Sequence, residues 1–194
     1  MAYTENSDFA RVYGDMETGV WVADKGSTLP DTIKTDPAAP FEAAGWLGDD
    51  GISLSIEKDK TEFNALQGGA LIRKKINKVT QTLTFVCLEE SALVLGLVYA
   101  GQEFTYTGSG ADAVAKQNIT ENQNRTVEMA LVIDTVDGDV WDRYCFSAAD
   151  ITFQGEIQLA NLEEMRLYQF EATIVAGAEA YHLTNSPGVL AAQA

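Results

Sequence analysis

The chain is poor in the side chains that most catalysis and metal binding rely on. Of 194 residues one is histidine, His182, and two are cysteine, Cys87 and Cys145. A serine-histidine-aspartate triad would have to use His182, which lies near the C-terminus, and no G-x-S-x-G elbow occurs. Zinc needs clustered Cys and His ligands, which one histidine and two distant cysteines do not supply. Both cysteines fall in strand-like runs and read as buried free thiols rather than a disulfide. Asp134, Asp137, Asp139 and Asp142 are dense but do not follow the spacing of a calcium loop. The glycine-rich stretch 108–110 lacks the Gly-Lys-Ser/Thr ending of a phosphate loop. The expectation is a protein without catalytic group, cofactor or metal.

Long apolar runs are absent too. The densest, residues 91–100, is about half the ~20 residues that a membrane span requires, so no membrane partner is expected. The opening residues show neither the basic region nor the apolar core of a secretory signal. Positive charge is the scarcest property: 13 Lys and Arg stand against 29 Asp and Glu, a formal net charge of −16. Such a surface cannot neutralise phosphate, which excludes a nucleic-acid binder of the usual kind.

Nearly half of that positive charge lies in one place. Residues 58–78 carry six cations against Asp59 and Glu62, a net of +4, leaving −20 on the rest. A basic finger on an acidic body is complementary to a second copy of itself, and contacts between unlike surfaces build rings or filaments. A solvated, charge-guarded sheet edge is the plainer alternative.

The pattern around the finger is that of a β protein. Residues 19–23 form a short strand after a polar arm at about 1–18. Gly26, Pro30, Pro37 and Pro40 rule out a regular element over 25–40, part of a long loop at 24–51. Ile52, Leu54 and Ile56 alternate with polar residues as in a half-buried strand. Gln67-Gly68-Gly69 offers a turn. On the return, Ile72 and Ile76 occupy even positions, and Val79, Leu83, Phe85 and Cys87 odd ones. That change of parity predicts a bulge near Asn77 and Lys78. It divides the hairpin into a base within the core sheet and a projecting tip at about 57–78. Glu89-Glu90-Ser91 opens a helix, about 89–100, that stops at Ala100-Gly101. Phe104 and Tyr106 start another strand, with a loop following to Arg125. Val127 to Ile133 alternate, and Asp137-Gly138 gives a hairpin turn pairing Leu131 with Tyr144 and Met129 with Phe146. Ile151, Phe153, Ile157 and Leu159 line a further run. Tyr168, Phe170, Ala172 and Ile174 line the last, before a C-terminal arm at about 182–194. One mainly β domain results, a sandwich or barrel of six to eight strands with one flanking helix. On these residues alone, a non-catalytic β-barrel or sandwich binding protein, or an adhesin subunit, remains the alternative to a self-assembling subunit.

Two segments resemble a known family. Gly19-Val20-Trp21-Val22-Ala23-Asp24-Lys25-Gly26-Ser27-Thr28-Leu29-Pro30 looks like the opening of major tail tube proteins of long-tailed, siphovirus-type bacteriophages, those of actinobacterial hosts in particular. Phe41-Glu42-Ala43-Ala44-Gly45-Trp46-Leu47-Gly48-Asp49-Asp50-Gly51-Ile52 is similar to that family's second landmark. The resemblance covers about residues 15–180. It implies a β-sandwich of the tail tube type, six copies per ring, and rings stacked into a hollow virion tube assembled in the host cytoplasm. It also implies a tape-measure protein in the lumen, tail terminator and distal tail proteins at the ends, and DNA passing through without specific binding. On that basis the hairpin residues Lys58, Lys60, Phe63, Leu66, Gln67, Leu71, Ile72, Arg73, Lys74, Lys75 and Lys78 are expected between subunits or rings. Glu128, Asp134, Glu156 and Glu171, on polar faces of the late strands, are expected to line the lumen and repel phosphate.

Overall fold

The computed structural model describes residues 10–121, 124–160 and 165–191. Its strands are β1 (Gly19–Asp24), β2 (Glu42–Ala43), β3 (Ser53–Asn64), β4 (Leu71–Cys87), β5 (Phe104–Thr107), β6 (Val114–Gln117), β7 (Val127–Asp137), β8 (Val140–Gln154), β9 (Tyr168–Ile174) and β10 (Ala180–Thr184). Helix α1 spans Ala92–Val98 and a single-turn helix α2 spans Pro187–Leu190. One large antiparallel sheet has the order β2-β1-β7-β8-β9-β4-β3, with β10 also paired to β8, and β5-β6 form a small second sheet. The fold is thus mainly β with one flanking helix of any length. Among the described residues no helix is long and apolar enough to cross a membrane.

The sheet curls around a core on one of its faces. Val20 and Val22 of β1 meet Leu131 and Ile133 of β7, Phe146 and Ile151 of β8, Phe170 of β9 and Phe85 of β4. Phe85 and Phe170 lie with ring centroids 5.5 Å apart. Residues 42–48 bring the two ends of the sheet together. Glu42–Ala43 pairs with β1, and the Gly48 and Leu88 amides donate to Val86 and Trp46 carbonyls at 2.9 and 2.8 Å. Helix α1 covers the core with Val94 and Leu97. Its N-cap is Ser91, whose hydroxyl accepts from the Val94 amide at 3.1 Å, so the helix starts three residues later than its acidic prelude suggests. Glu89 and Glu90 lie before the cap and bond elsewhere: Glu89 accepts from the Trp46 amide at 2.8 Å, and Glu90 from Tyr168 Oη at 2.8 Å. The helix stops as Ala100 turns left-handed and the Gly101 amide reaches back to the Gly96 carbonyl at 2.8 Å, a Schellman closure.

Several expected boundaries move. The β7-β8 turn uses Gly138 and Asp139, so Leu131 pairs with Phe146 and Ile133 with Tyr144, two residues from the expected register. Gly138 supplies the positive φ that a two-residue hairpin needs at its first central position. Ile151 and Phe153 extend β8, which ends at Gln154 before Gly155 at φ 98°; Ile157 and Leu159 are not part of a strand. The loop after Thr107 holds β6, whose mixed Val-Ala-Lys-Gln sequence has no alternation to announce it. His182 to Thr184 form a strand on β8 rather than a free arm. Residues 1–9 and 192–194 of the two expected arms lie outside the described residues.

Candidate functional site

Among the described residues three surfaces stand out. The first is the β3-β4 hairpin. β4 pairs with β9 only from Thr82 onward, so residues 56–64 and their partners leave the sheet as a two-stranded ribbon. At 3.3 Å per residue it extends about 30 Å. Its register slips between Asp59 and Lys60, which face Lys78 and Ile76, leaving Asn77 as the extra residue. The parity change in the sequence located this bulge correctly. Asn77 Nδ2 donates to Thr61 Oγ1 across the ribbon at 2.5 Å.

The bulge decides how the ribbon is sided. Residues paired directly opposite share a face. Leu54, Ile56, Lys58 and Lys60 therefore sit with Leu83, Gln81, Val79 and Ile76 on one face, and Ser53, Ser55, Glu57 and Asp59 with Thr84, Thr82, Thr80 and Lys78 on the other. Without the extra residue, Ile76 would switch to the polar side. The apolar face continues the buried core from Leu83 outward, yet none of the described residues covers it. Leu54 and Ile56 are 40% and 53% exposed, not half-buried as their alternation predicts. Eight large apolar side chains of the hairpin are exposed, among them Phe63, Leu66, Leu71 and Ile72. The tip turns on Gly68 and Gly69, both with positive φ, and the Ala65 amide closes it on Ala70 at 2.8 Å. Lys74 and Glu62 pair at 2.7 Å, and the hydrogen bond from Lys74 holds the Glu62 carboxyl below its usual range. Lys58, Lys60, Gln67, Arg73, Lys75 and Lys78 are exposed along the ribbon. A two-stranded ribbon with a bare apolar face is marginal in water.

The second surface is the outer face of β8, β9 and β4. Glu128 faces Asp150, Thr152 faces Glu171, and Glu171 faces Thr84. With Gln154, Gln169 and Thr173 these form a polar field; Arg143 of β8 is buried away from it, and the nearest β4 cation on that side, Lys78, lies out on the ribbon. Glu128 is paired with Lys25. Glu156 lies past the end of β8, where it accepts from Gln158 at 3.0 Å. Asp150 belongs to this face and was missed, although Asp-Ile-Thr-Phe-Gln alternates plainly at 150–154.

Asp134 does not belong with them. It is 2% exposed and bound by Arg143, itself fully buried. Arg143 Nε and Nη2 donate to the two Asp134 oxygens at 2.6 and 2.7 Å. Nη1 donates to the Thr32 carbonyl at 2.8 Å and Nη2 to the Thr35 carbonyl at 2.7 Å. The loop at 25–40 thus folds over this end of the sheet face, sealed further by Tyr181 Oη on the Pro30 carbonyl at 2.8 Å. A charge so neutralised and covered cannot line an open surface. An isolated Asp in an alternating strand gives no sign of this; its partner nine residues on becomes visible only with the β7-β8 register.

The third surface is built by the arm. Gly14 and Asp15 amides donate to the Val136 carbonyl at 3.0 and 3.2 Å. Gly138 donates to Asp15 Oδ2 at 2.5 Å, and Tyr13 Oη donates to Asp142. Burial pushes the Tyr13 hydroxyl up to about 12, aided by that bond. His182 Nε2 lies 3.1 Å from Asp142 Oδ1, its ring stacked on Tyr144 at 4.3 Å. Burial raises the Asp142 carboxyl, but bonds from Thr184, Tyr13 and His182 outweigh it and hold the acid below its ordinary 3.8. Cys87 and Cys145 are buried free thiols, pushed up by burial to about 12 and about 11.

These features define a class: a structural β subunit that carries an unfinished interface. The model of the phage tail tube protein family matches residues 4–185. The chain belongs to that family, and its role is that of a structural component of the virion tail. No curated protein matches it. Solved structures are similar to it, among them two phage-like particles. The tail of an empty gene transfer agent particle, computed with helical refinement in C6 symmetry, is 9% identical, covers 92% of this chain and 99% of its own, and gives a TM-score of 0.40. The virion of a native gene transfer agent particle is 8% identical, covers 87% and 98%, and gives 0.39.

Proposed function

We propose that copies of this chain assemble into six-fold rings stacked as a hollow tube, with the hairpin of each copy reaching a neighbouring copy. The observation that carries this reading is the bare apolar face of the ribbon, continuous with the core yet covered by none of the described residues. Charge sets register and encounter, because an exposed ion pair contributes only ~0–1 kcal/mol, and the apolar face supplies area at ~25 cal/mol per Å².

The polar field of β8, β9 and β4 is our reading of the lumen wall. Glu171 and the open oxygen of Asp150 repel phosphate within the ~8–10 Å of a cell-like Debye length, while Glu128, paired with Lys25, adds polarity rather than net charge, so DNA meets no deep minimum and passes. The polar face of the hairpin base extends this wall, and Glu156 stands at its rim. A tape-measure protein would fill the lumen beforehand, with tail terminator and distal tail proteins capping the ends. No residue acts as a catalyst in this scheme.

The test is microscopy of the purified chain beside a variant lacking residues 62–72. Hollow tubes of uniform width are expected from the full chain, and folded monomers from the deletion. Normal tubes from the deletion would refute the role of the hairpin. A density map placing Glu171 and Asp150 on the outer tube surface would refute the lumen assignment.

A further inference from the structure

We infer that the groove between the arm and residues 45–52 is the seat for the hairpin tip of a second copy. This rests on the reading of the chain as a self-assembling subunit. The groove holds about 640 Å³. Its apolar lining includes Met16, Trp46 and Ile52, and its charge comes from Asp15, Asp49 and Glu89, with no Lys or Arg. Met16 is 85% and Trp46 64% exposed, an unusual state for the side chain that most often anchors interfaces. Glu89 fixes the Trp46 backbone at 2.8 Å, and Asp15 fixes the β7-β8 turn, so the walls are built rather than loose.

The tip has the complementary character: Arg73, Lys74 and Lys75 against Glu62, a net of +2, around exposed Leu66, Leu71 and Ile72. Like charges placed against it would be rejected, and the acidic rim selects it. A second groove, of about 580 Å³ beside α1 and β5, fits less well. Arg125 lines it and offsets one of Asp24, Glu42 and Glu103, and its Glu128 is already paired with Lys25. The tip cannot fold back into its own groove. Ile52 lines the groove and Ser53 begins β3, so the ribbon departs from the rim and runs about 30 Å away. Tip and seat therefore join different copies, a head-to-tail contact that need not close on a dimer.

Cysteine cross-linking of the full chain tests this. Asp50→Cys at the groove rim and Gln67→Cys at the tip are combined in one chain, and assembled material is treated with a short bis-maleimide. The native thiols are buried and stay silent. A ladder of covalent multimers is expected, with only monomer from either single variant and from Gln67→Cys combined with Thr107→Cys beside the second groove. Tubes that yield no ladder from the first pair, or one from the second, overturn the seat while leaving self-assembly intact. Failure of the unsubstituted chain to assemble at all overturns both.

Discussion

Replacing Arg143 by methionine should be the most damaging single change in the body of the subunit, and the reason can be separated from loss of packing. Methionine keeps much of the apolar stem but removes every donor. Asp134, 2% exposed, then keeps its charge in the interior with no partner. Breaking a buried pair in this way costs about 3–5 kcal/mol. The Thr32 and Thr35 carbonyls lose their donors as well, but they belong to a loop that can swing into water, so their loss adds at most ~1–3 kcal/mol. At 2–4 °C per kcal/mol for a chain of this size, the midpoint should fall by at least ~6–20 °C. The decisive variant is Arg143→Met with Asp134→Leu. It removes the orphaned charge while still freeing the loop, so it should be more stable than Arg143→Met by ~2 kcal/mol or more. Both variants should be cut rapidly by trypsin after Lys25 or Lys34, because the loop at 25–40 is released in each. Urea unfolding of the unassembled chain gives the stabilities, and timed proteolysis reports the loop. A double variant no more stable than Arg143→Met, or a loop that resists trypsin without Arg143, would refute the reasoning.

Three further outcomes follow from other parts of the structure. Gly108→Ala places a Cβ 2.3 Å from the Asp112 carbonyl oxygen at φ +79°; the β5-β6 hairpin should open, with exchange-protected amides lost there and not in β7 or β8. Asp142 has a lowered pKa in the fold, so its stabilising bonds are fully present above its ordinary 3.8 and are lost as pH falls below it; arm release, read by the emission of Tyr13 or by proteolysis near Arg11, should follow acidification through that range and be absent from Asp142→Asn. Cys87 and Cys145 should react with a disulfide reagent at pH 8 only after denaturation, when two thiols appear, since burial has raised both.

The parts of the fold legible in the sequence are those in which alternation met a sharp local signal. Parity placed the bulge at Asn77 because apolar residues on both limbs had to stay on one side. Strand β1 and the Gly138 turn were equally plain. Register was less so, since Asp137-Gly138 and Gly138-Asp139 both satisfy a two-residue turn and only pairing across the sheet decides. Strand β10 escaped because its Tyr-His-Leu-Thr leans on Tyr144 and Asp142 rather than on an apolar stripe of its own. Leu54 and Ile56 carried a true apolar pattern, but no described residue of the chain covers it. Asp134 was misplaced on an open face because burial with Arg143 is a long-range property of packing, whereas Glu171 has polar neighbours, Thr84 and Thr152, on adjacent strands.

The extra residue at Asn77 also has a geometric consequence. A bulge steepens the local right-handed twist of a ribbon, so the tip leaves the base at an azimuth fixed by one inserted residue. Any copy that grips the tip inherits that azimuth. In a stack, it becomes part of the angular offset between one layer and the next. Deleting Asn77 would then alter the pitch of the tube before it altered the strength of any contact.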